Sequence, residues 1–156
     1  MVSLSTQSLK VLRERVPLFE GFNDDELSVI MACSQRRVLT AGEQLIAEGA
    51  LANKLFIIVS GEAAIYRSLA GREEVIARLK PGATVGEIGI VDRAPRSAKV
   101  VADDALVLLE LEHKILEEVS ESLLVKLYRN LALILATRLR ETNDMLDNVA
   151  DFSTNA

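Results

Sequence analysis

The chain is 156 residues long, 49% hydrophobic and 26% charged, and its 18 Lys and Arg against 23 Asp and Glu leave a net charge of −5. That length suits one domain, 1–156, able to bury about 70% of its unfolded surface. The longest all-apolar stretch, 131–136, falls far short of the ~20 residues a spanning helix needs, and the acidic balance lacks the basic stripe of nucleic-acid binders.

Residues 1–15 read as a polar amphipathic helix with Leu4, Leu9, Val11 and Leu12 as its apolar positions. Lys10, Arg13, Glu14 and Arg15 interrupt any signal-peptide pattern, so a cytoplasmic protein with no membrane partner is expected. Pro17 ends or redirects the helix. Asn23 is a good N-cap for a second short helix, with Glu26 placed as in a capping box and Leu27, Ile30 and Met31 on the apolar side. From about 34 to 112, short runs rich in Val, Ile and Leu alternate with Gly42, Gly49, Gly61, Gly71 and Gly82. One turn roughly every ten residues is the pattern of an antiparallel sandwich or barrel. Residues 55–59 and 63–66 flank a Ser60-Gly61-Glu62 turn, 74–79 follows the Gly71 turn, and 98–102 and 105–111 close the set around Asp103-Asp104. In the last strand Val107, Leu109 and Leu111 share one face, and Glu110 and Glu112 fall on the other.

His113 then reads as a surface residue at a helix start. It is the only histidine and Cys33 the only cysteine. An intrachain disulfide is thereby excluded, and a Cys/His zinc site or a cysteine-ligated cluster lacks ligands. A Ser–His–Asp triad could use only His113. No metal and no cofactor are expected. A short helix runs to about 119, Ser120 and Ser122 are both plausible caps for the next, and a long helix spans about 121–150. Leu124, Leu127 and Leu131 read as its contact with the β-core. Tyr128, Ala132, Leu135, Leu139, Thr142, Leu146 and Val149 recur in steps of four and three, the seven-residue repeat of a coiled coil. The part from 135 to 149 lies beyond what a small β-domain covers and is expected to form a homodimer. The fold class expected is α+β, mainly β: an antiparallel β-roll or jelly roll with N-terminal helices and a long C-terminal helix.

The chemistry concentrates in Val85-Gly86-Glu87-Ile88-Gly89-Ile90-Val91-Asp92-Arg93-Ala94-Pro95-Arg96-Ser97-Ala98. Gly86 and Gly89 let the backbone come close to a ligand. Glu87 opens a helical turn whose free N–H groups favour an anion. Pro95 stiffens the approach to Arg96, whose guanidinium presents a fixed fork to a phosphate. Ser97 adds a hydroxyl and a backbone N–H. A carboxylate beside a phosphate site is tolerable when it faces another part of the ligand, and a ribose hydroxyl is the natural partner for Glu87. On spacing alone, an ordinary strand–turn–strand remains open.

This segment resembles the phosphate-binding cassette of the cyclic-nucleotide-binding domains, a family that includes bacterial catabolite activators, regulatory subunits of cyclic-AMP-dependent kinase and C-terminal domains of cyclic-nucleotide-gated channels. Val16-Pro17-Leu18-Phe19 with Asp25-Glu26-Leu27 is similar to the family's opening helix. Residues 56–61 are similar to its central hairpin, and Pro81-Gly82 to the approach to the cassette. Arg138-Leu139, Thr142-Asn143 and Asn148-Val149-Ala150 are similar to the dimer helix of the catabolite activators. The resemblance implies that Arg96 pairs with the cyclic phosphate, cradled also by Ser97 and the N–H groups of Gly89 and Ala98. It implies that Glu87 accepts from the ribose 2′-hydroxyl, and that Gly86 and Ile88 shape the ribose pocket. Ile76, Ala77 and Val85 would wall the base; Thr142, with Asn143 from a partner chain, would touch its edge; Arg138 matches a helix arginine.

The function implied is a regulatory sensor for a cyclic nucleotide, cyclic AMP ahead of cyclic GMP, and not an enzyme. The alternative is a degenerate or cyclic-GMP-preferring domain that serves as a dimerisation or docking module of a larger channel, kinase or transcription factor. A phosphodiesterase would need a metal or a base aimed at phosphorus, and the cassette offers only Glu87 and Asp92. The family's transcription factors continue into a helix-turn-helix, whereas this sequence stops at Ala156, so no DNA binding by this chain alone is expected.

Overall fold

Four consecutive residues, Leu55, Phe56, Ile57 and Ile58, are buried inside strand β3 (Lys54–Ser60). Successive side chains of a strand point to opposite faces, so both faces of β3 have to be covered. Phe56 and Ile58 join Leu39, Leu45, Val100, Leu106 and Leu108 in an apolar cluster between two sheets. Leu55 and Ile57 join Phe19, Leu27, Ile90, Leu111 and Leu127 in a second cluster, the seat of the helices. The structure, a computed structural model, describes residues 5–154, with side chains as far as Asp151. Leu4 of the expected first helix and the terminal Ala156 lie outside the described residues.

Helix α1 (Thr6–Arg15) is capped by the Ser5 hydroxyl, which accepts from the Ser8 N–H. It stops short of Pro17, which opens a 3-10 turn, Pro17–Phe19. Helix α2 (Asp24–Ala32) starts on the expected capping box: Asn23 accepts from the Glu26 N–H, and the Glu26 carboxylate accepts from the Asn23 N–H. The remaining strands are β1 (Ser34–Leu39), β2 (Gln44–Ile46), β4 (Ala63–Leu69), β5 (Arg72–Leu79), β6 (Thr84–Val85), β7 (Lys99–Ala102) and β8 (Leu106–Glu112). They form two antiparallel sheets, ordered β1-β8-β3-β6 and β2-β7-β4-β5. Helix α3 (Glu87–Asp92) lies between β6 and β7, and α4 (Ile115–Glu118) and α5 (Glu121–Thr154) close the chain. Antiparallel sheets of short strands are what the glycine spacing indicated, and the long C-terminal helix is what the uninterrupted helical pattern after His113 indicated.

One reading of the strands needs correction. Ser60-Gly61-Glu62 is not a hairpin turn, because β3 and β4 belong to different sheets. It is a corner, and it docks on the corner between β7 and β8. The Glu62 N–H donates to the Asp104 carboxylate at 2.7 Å and the Asp103 N–H to the Glu62 carbonyl at 2.9 Å. A Cβ at Gly61 would lie 2.3 Å from the Ala105 carbonyl oxygen. The true hairpin is β4–β5, turned on Ala70 and Gly71, both at positive φ, as strand twist favours in two-residue loops. Glu110 lies on the face of β8 opposite Val107, Leu109 and Leu111, as the alternation indicated, and that face is covered. It shares the interior side of β8 with Leu106 and Leu108 and is only 5% exposed.

Helix α5 is fastened by its first half. Leu123, Leu127 and Leu131 are buried, with Leu124 packed beside them. Asn130 Nδ2 donates to the carbonyls of Leu18 and Glu20 at 2.9 and 2.8 Å. Lys126 bridges Glu26 and the Gly21 carbonyl; with the Asn23 N–H, it holds the Glu26 carboxyl below its ordinary pKa. From Leu139 to Asp151 every residue is exposed. Among the repeat positions, Leu139, Leu146 and Val149 are each more than 60% exposed in this single chain.

Candidate ligand-binding site

Strand β6 delivers the chain to Gly86, which has φ +89° and caps α3. Only glycine fits there: a Cβ would stand 2.3 Å from Arg96 Nη1 and 2.8 Å from the Lys54 carbonyl oxygen. Arg96 lies across this point. Its Nη1 donates to the Gly86 carbonyl at 3.1 Å and its Nη2 to the Lys54 carbonyl. The guanidinium carbon sits 5.8 Å from the centroid of the Phe56 ring, a cation–π arrangement. The Arg96 backbone is tied to the β2–β3 loop, accepting from Gly49 N–H at 2.8 Å and donating to the Ala50 carbonyl at 2.9 Å. Burial pulls its pKa below the ordinary value, though an arginine stays charged.

Gly89 serves a different purpose from the one its spacing suggested. It lies inside α3, and a Cβ would meet Ala52 Cβ at 2.1 Å. The close approach it allows is to the protein's own β2–β3 loop. At the far end of α3, Arg93 takes φ +56° and its guanidinium faces both ring nitrogens of His113 at 3.4 Å.

Glu87 is the most demanding group in the site, because its carboxylate is 2% exposed. Burying a charge without a partner is expensive, and the partner comes from α5. Arg138 forms an ion pair with Glu87 Oε1 and also donates to the Thr84 carbonyl. Glu87 Oε2 has no hydrogen-bond partner among the described residues. Burial lowers the pKa of Arg138, and Glu141 partly restores it. A cleft of about 340 Å³ opens beside this pair, between α5 and the segment around Gly82, lined in part by Thr84, Leu133, Ile134 and Arg138.

The structure thus brings together Gly86, Glu87, Gly89, Arg96 and Arg138. Val85 is buried in the roll interior with Phe56, its partner across the sheet. Ile88 and Ser97 are exposed and Ala98 is half-buried. Ile76 and Ala77 lie exposed on β5, an outer strand of the second sheet. Thr142 and Asn143 are exposed on α5, and the Thr142 hydroxyl donates back to the Arg138 carbonyl at 2.9 Å. Sequence reasoning missed Lys54, Phe56, Ala52 and Thr84. Their part in the site follows from strand pairing and loop docking, which no local motif announces. Among the described residues no cluster of acidic, His or Cys side chains could hold a metal, and no helix is long and apolar enough to cross a membrane.

A roll of two antiparallel sheets, with a glycine-capped short helix whose buried glutamate pairs with an arginine of the last helix, defines a small-ligand-binding module. The chain belongs to the cyclic nucleotide-binding domain family, whose pattern it matches over residues 36–122. It is 35% identical over 133 residues to the cyclic AMP receptor protein of Thermus thermophilus, covering 84% of this chain and 61% of that protein. It is 37% identical over 133 residues to glutaminase 2 of Bradyrhizobium diazoefficiens, covering 83% of this chain but 21% of that larger protein. The crystal structure of the Thermus thermophilus catabolite activator protein superposes with a TM-score of 0.74 at 33% identity, covering 86% of this chain and 63% of the other. The chain therefore spans less than two thirds of these relatives' length.

Removing Arg138 strands the Glu87 carboxylate. Arg138→Ala is expected to lower the unfolding free energy by about 1–3 kcal/mol. Adding Glu87→Gln to it should restore part of that loss, because the stranded charge is then gone. Urea denaturation of the unliganded variants measures both; strictly additive losses would show that the pair is not energetically linked.

Proposed function

We propose that the chain binds cyclic AMP as a regulatory sensor and that α5 passes the bound state onward. The observation that carries this reading is the placement of Arg96 and Glu87 on either side of Gly86, one cation and one buried carboxylate with an unpartnered oxygen. Arg96 meets the cyclic phosphate through the charge-assisted fork that suits it, aided by Ser97 and the N–H groups of Gly89 and Ala98. Glu87 Oε2 accepts from the ribose 2′-hydroxyl while Oε1 stays with Arg138. Gly86 and Ile88 border the ribose, and Val85, Ile76 and Ala77 border the base. The choice of cyclic AMP over cyclic GMP is supported by the name of the Thermus relative and by Thr142. A hydroxyl has one donor and two acceptor sites. Thr142 already donates to Arg138, so its oxygen remains able to accept from the exocyclic amine of adenine, which guanine replaces with a carbonyl. The role proposed is binding in the cytoplasm, without chemistry.

Transmission rests on Arg138. It joins the cassette to α5 at the point where the helix leaves the body of the roll, and the exposed Leu139, Leu146 and Val149 follow at once. A second copy of the chain covers that stripe in the proposed homodimer, and Asn143 of the partner subunit reaches the base. Ligand and helix arrangement then bias one another, and such coupling is reciprocal.

Two outcomes test the reading. Arg96→Ala should weaken cyclic AMP binding at least tenfold, since a hydrogen bond to a charged group is worth about 1.5–3 kcal/mol; unchanged affinity by calorimetry would remove the cassette assignment. Leu139→Asp should yield a monomer by sedimentation and also lower cyclic AMP affinity. A monomeric variant that binds as tightly as the parent would show that helix pairing and pocket are independent.

A further inference from the structure

The interior face of β8 runs Leu106, Leu108, Glu110, and the first two are fully buried among apolar side chains. A carboxylate in that row, 5% exposed, is answered by two cations. Glu110 Oε1 pairs with Lys54 Nζ and Oε2 with Arg37 Nη1 at 3.4 Å. A buried ion pair is poor support for stability, because apolar residues of similar volume commonly do as well or better. The interest lies in where Lys54 sits. It is the first residue of β3, directly after the loop that docks on α3 at Ala52. Across the ladder Lys54 stands opposite Glu112 and Phe56 opposite Glu110, so Lys54 and Glu110 are diagonal neighbours on one face, within reach of long side chains. The Lys54 carbonyl accepts from Arg96, and Phe56, two residues on, carries the same guanidinium over its ring.

We propose that Glu110 is a positioning residue for the phosphate-binding arginine: by holding Lys54 against β8 it fixes the strand end whose carbonyl and aromatic ring orient Arg96. The inference rests on the assignment of Arg96 to the ligand phosphate. At this strand end the backbone supplies one tie just before Lys54, the His113 N–H donating to the Asn53 carbonyl at 2.8 Å. The side-chain bridge to β8 adds a second anchor there, and the Lys54 carbonyl keeps its aim toward Arg96. Without Glu110 the guanidinium loses a fixed acceptor on one nitrogen while its bond to Gly86 remains. The consequence falls on the phosphate contact and spares the ribose contact of Glu87, which is anchored from α5.

The test is a pair of cycles read by calorimetry with cyclic AMP. Glu110→Gln should weaken binding by about three- to tenfold, the range of modest coupling energies. In an Arg96→Ala background the same change should cost almost nothing, while in a Glu87→Ala background it should cost its full factor. An equal cost in both backgrounds would identify Glu110 as a general structural support and overturn the proposal, as would no cost in the parent. Lys54→Met, on a partly exposed residue, runs the same cycles should Glu110→Gln fail to fold. Arg96→Ala alone leaving affinity intact would instead overturn the phosphate assignment itself, a separate and recognisable failure.

Discussion

A carboxylate buried at the start of a six-residue helix has to be answered by a positive charge, and here the charge arrives from the far end of the sequence. Glu87 sits at the mouth of the roll and Arg138 on the last helix. Their pairing joins α5 to α3. Before Arg138, α5 is held by the burial of Leu123, Leu127 and Leu131 and by Asn130 and Lys126; from Leu139 to Asp151 it is exposed. Arg138 therefore marks the boundary between the packed and the exposed parts of the helix. Beyond Arg138, Glu141 still lines the cleft beside Thr84.

The opposite wall of the cassette is set by a different device. Arg96 is oriented by two backbone carbonyls and an aromatic face, none of which carries charge. A guanidinium held by neutral dipoles keeps its positive charge available, whereas one held by a carboxylate would have it neutralised. The negative groups nearby are spent elsewhere, Glu87 on Arg138 and Glu110 on Lys54 and Arg37. This distribution of partners leaves Arg96 without an ion-pair partner among the described residues, which suits an anionic ligand with a hydroxyl close by.

Much of this was legible in the sequence where the governing physics is local. The capping box at Asn23 and Glu26, the break at Pro17, the glycine-punctuated strands and the uninterrupted long helix all follow from neighbours within a few residues. Gly86 and Arg96 stood out together in one short segment, and the fold sets them in contact. What was not legible depends on pairing between distant segments. Ser60-Gly61-Glu62 has the composition of a hairpin turn, and only the docking of Asp104 beneath it makes it a corner. Glu110 alternates with apolar residues as a solvent-facing residue would, yet its strand is central and covered on both sides. The contribution of Lys54 is made by its backbone carbonyl, which no residue type can reveal.

The most direct test of the account is calorimetric titration of the parent protein, freed of carried-over ligand by unfolding and refolding, with cyclic AMP, cyclic GMP and the ring-opened 5′-AMP. The account expects saturable binding of cyclic AMP, weaker binding of cyclic GMP and much the weakest binding of 5′-AMP, whose phosphate is no longer held in the ring. Absence of saturable binding by either cyclic nucleotide, with the protein fully refolded, would contradict it.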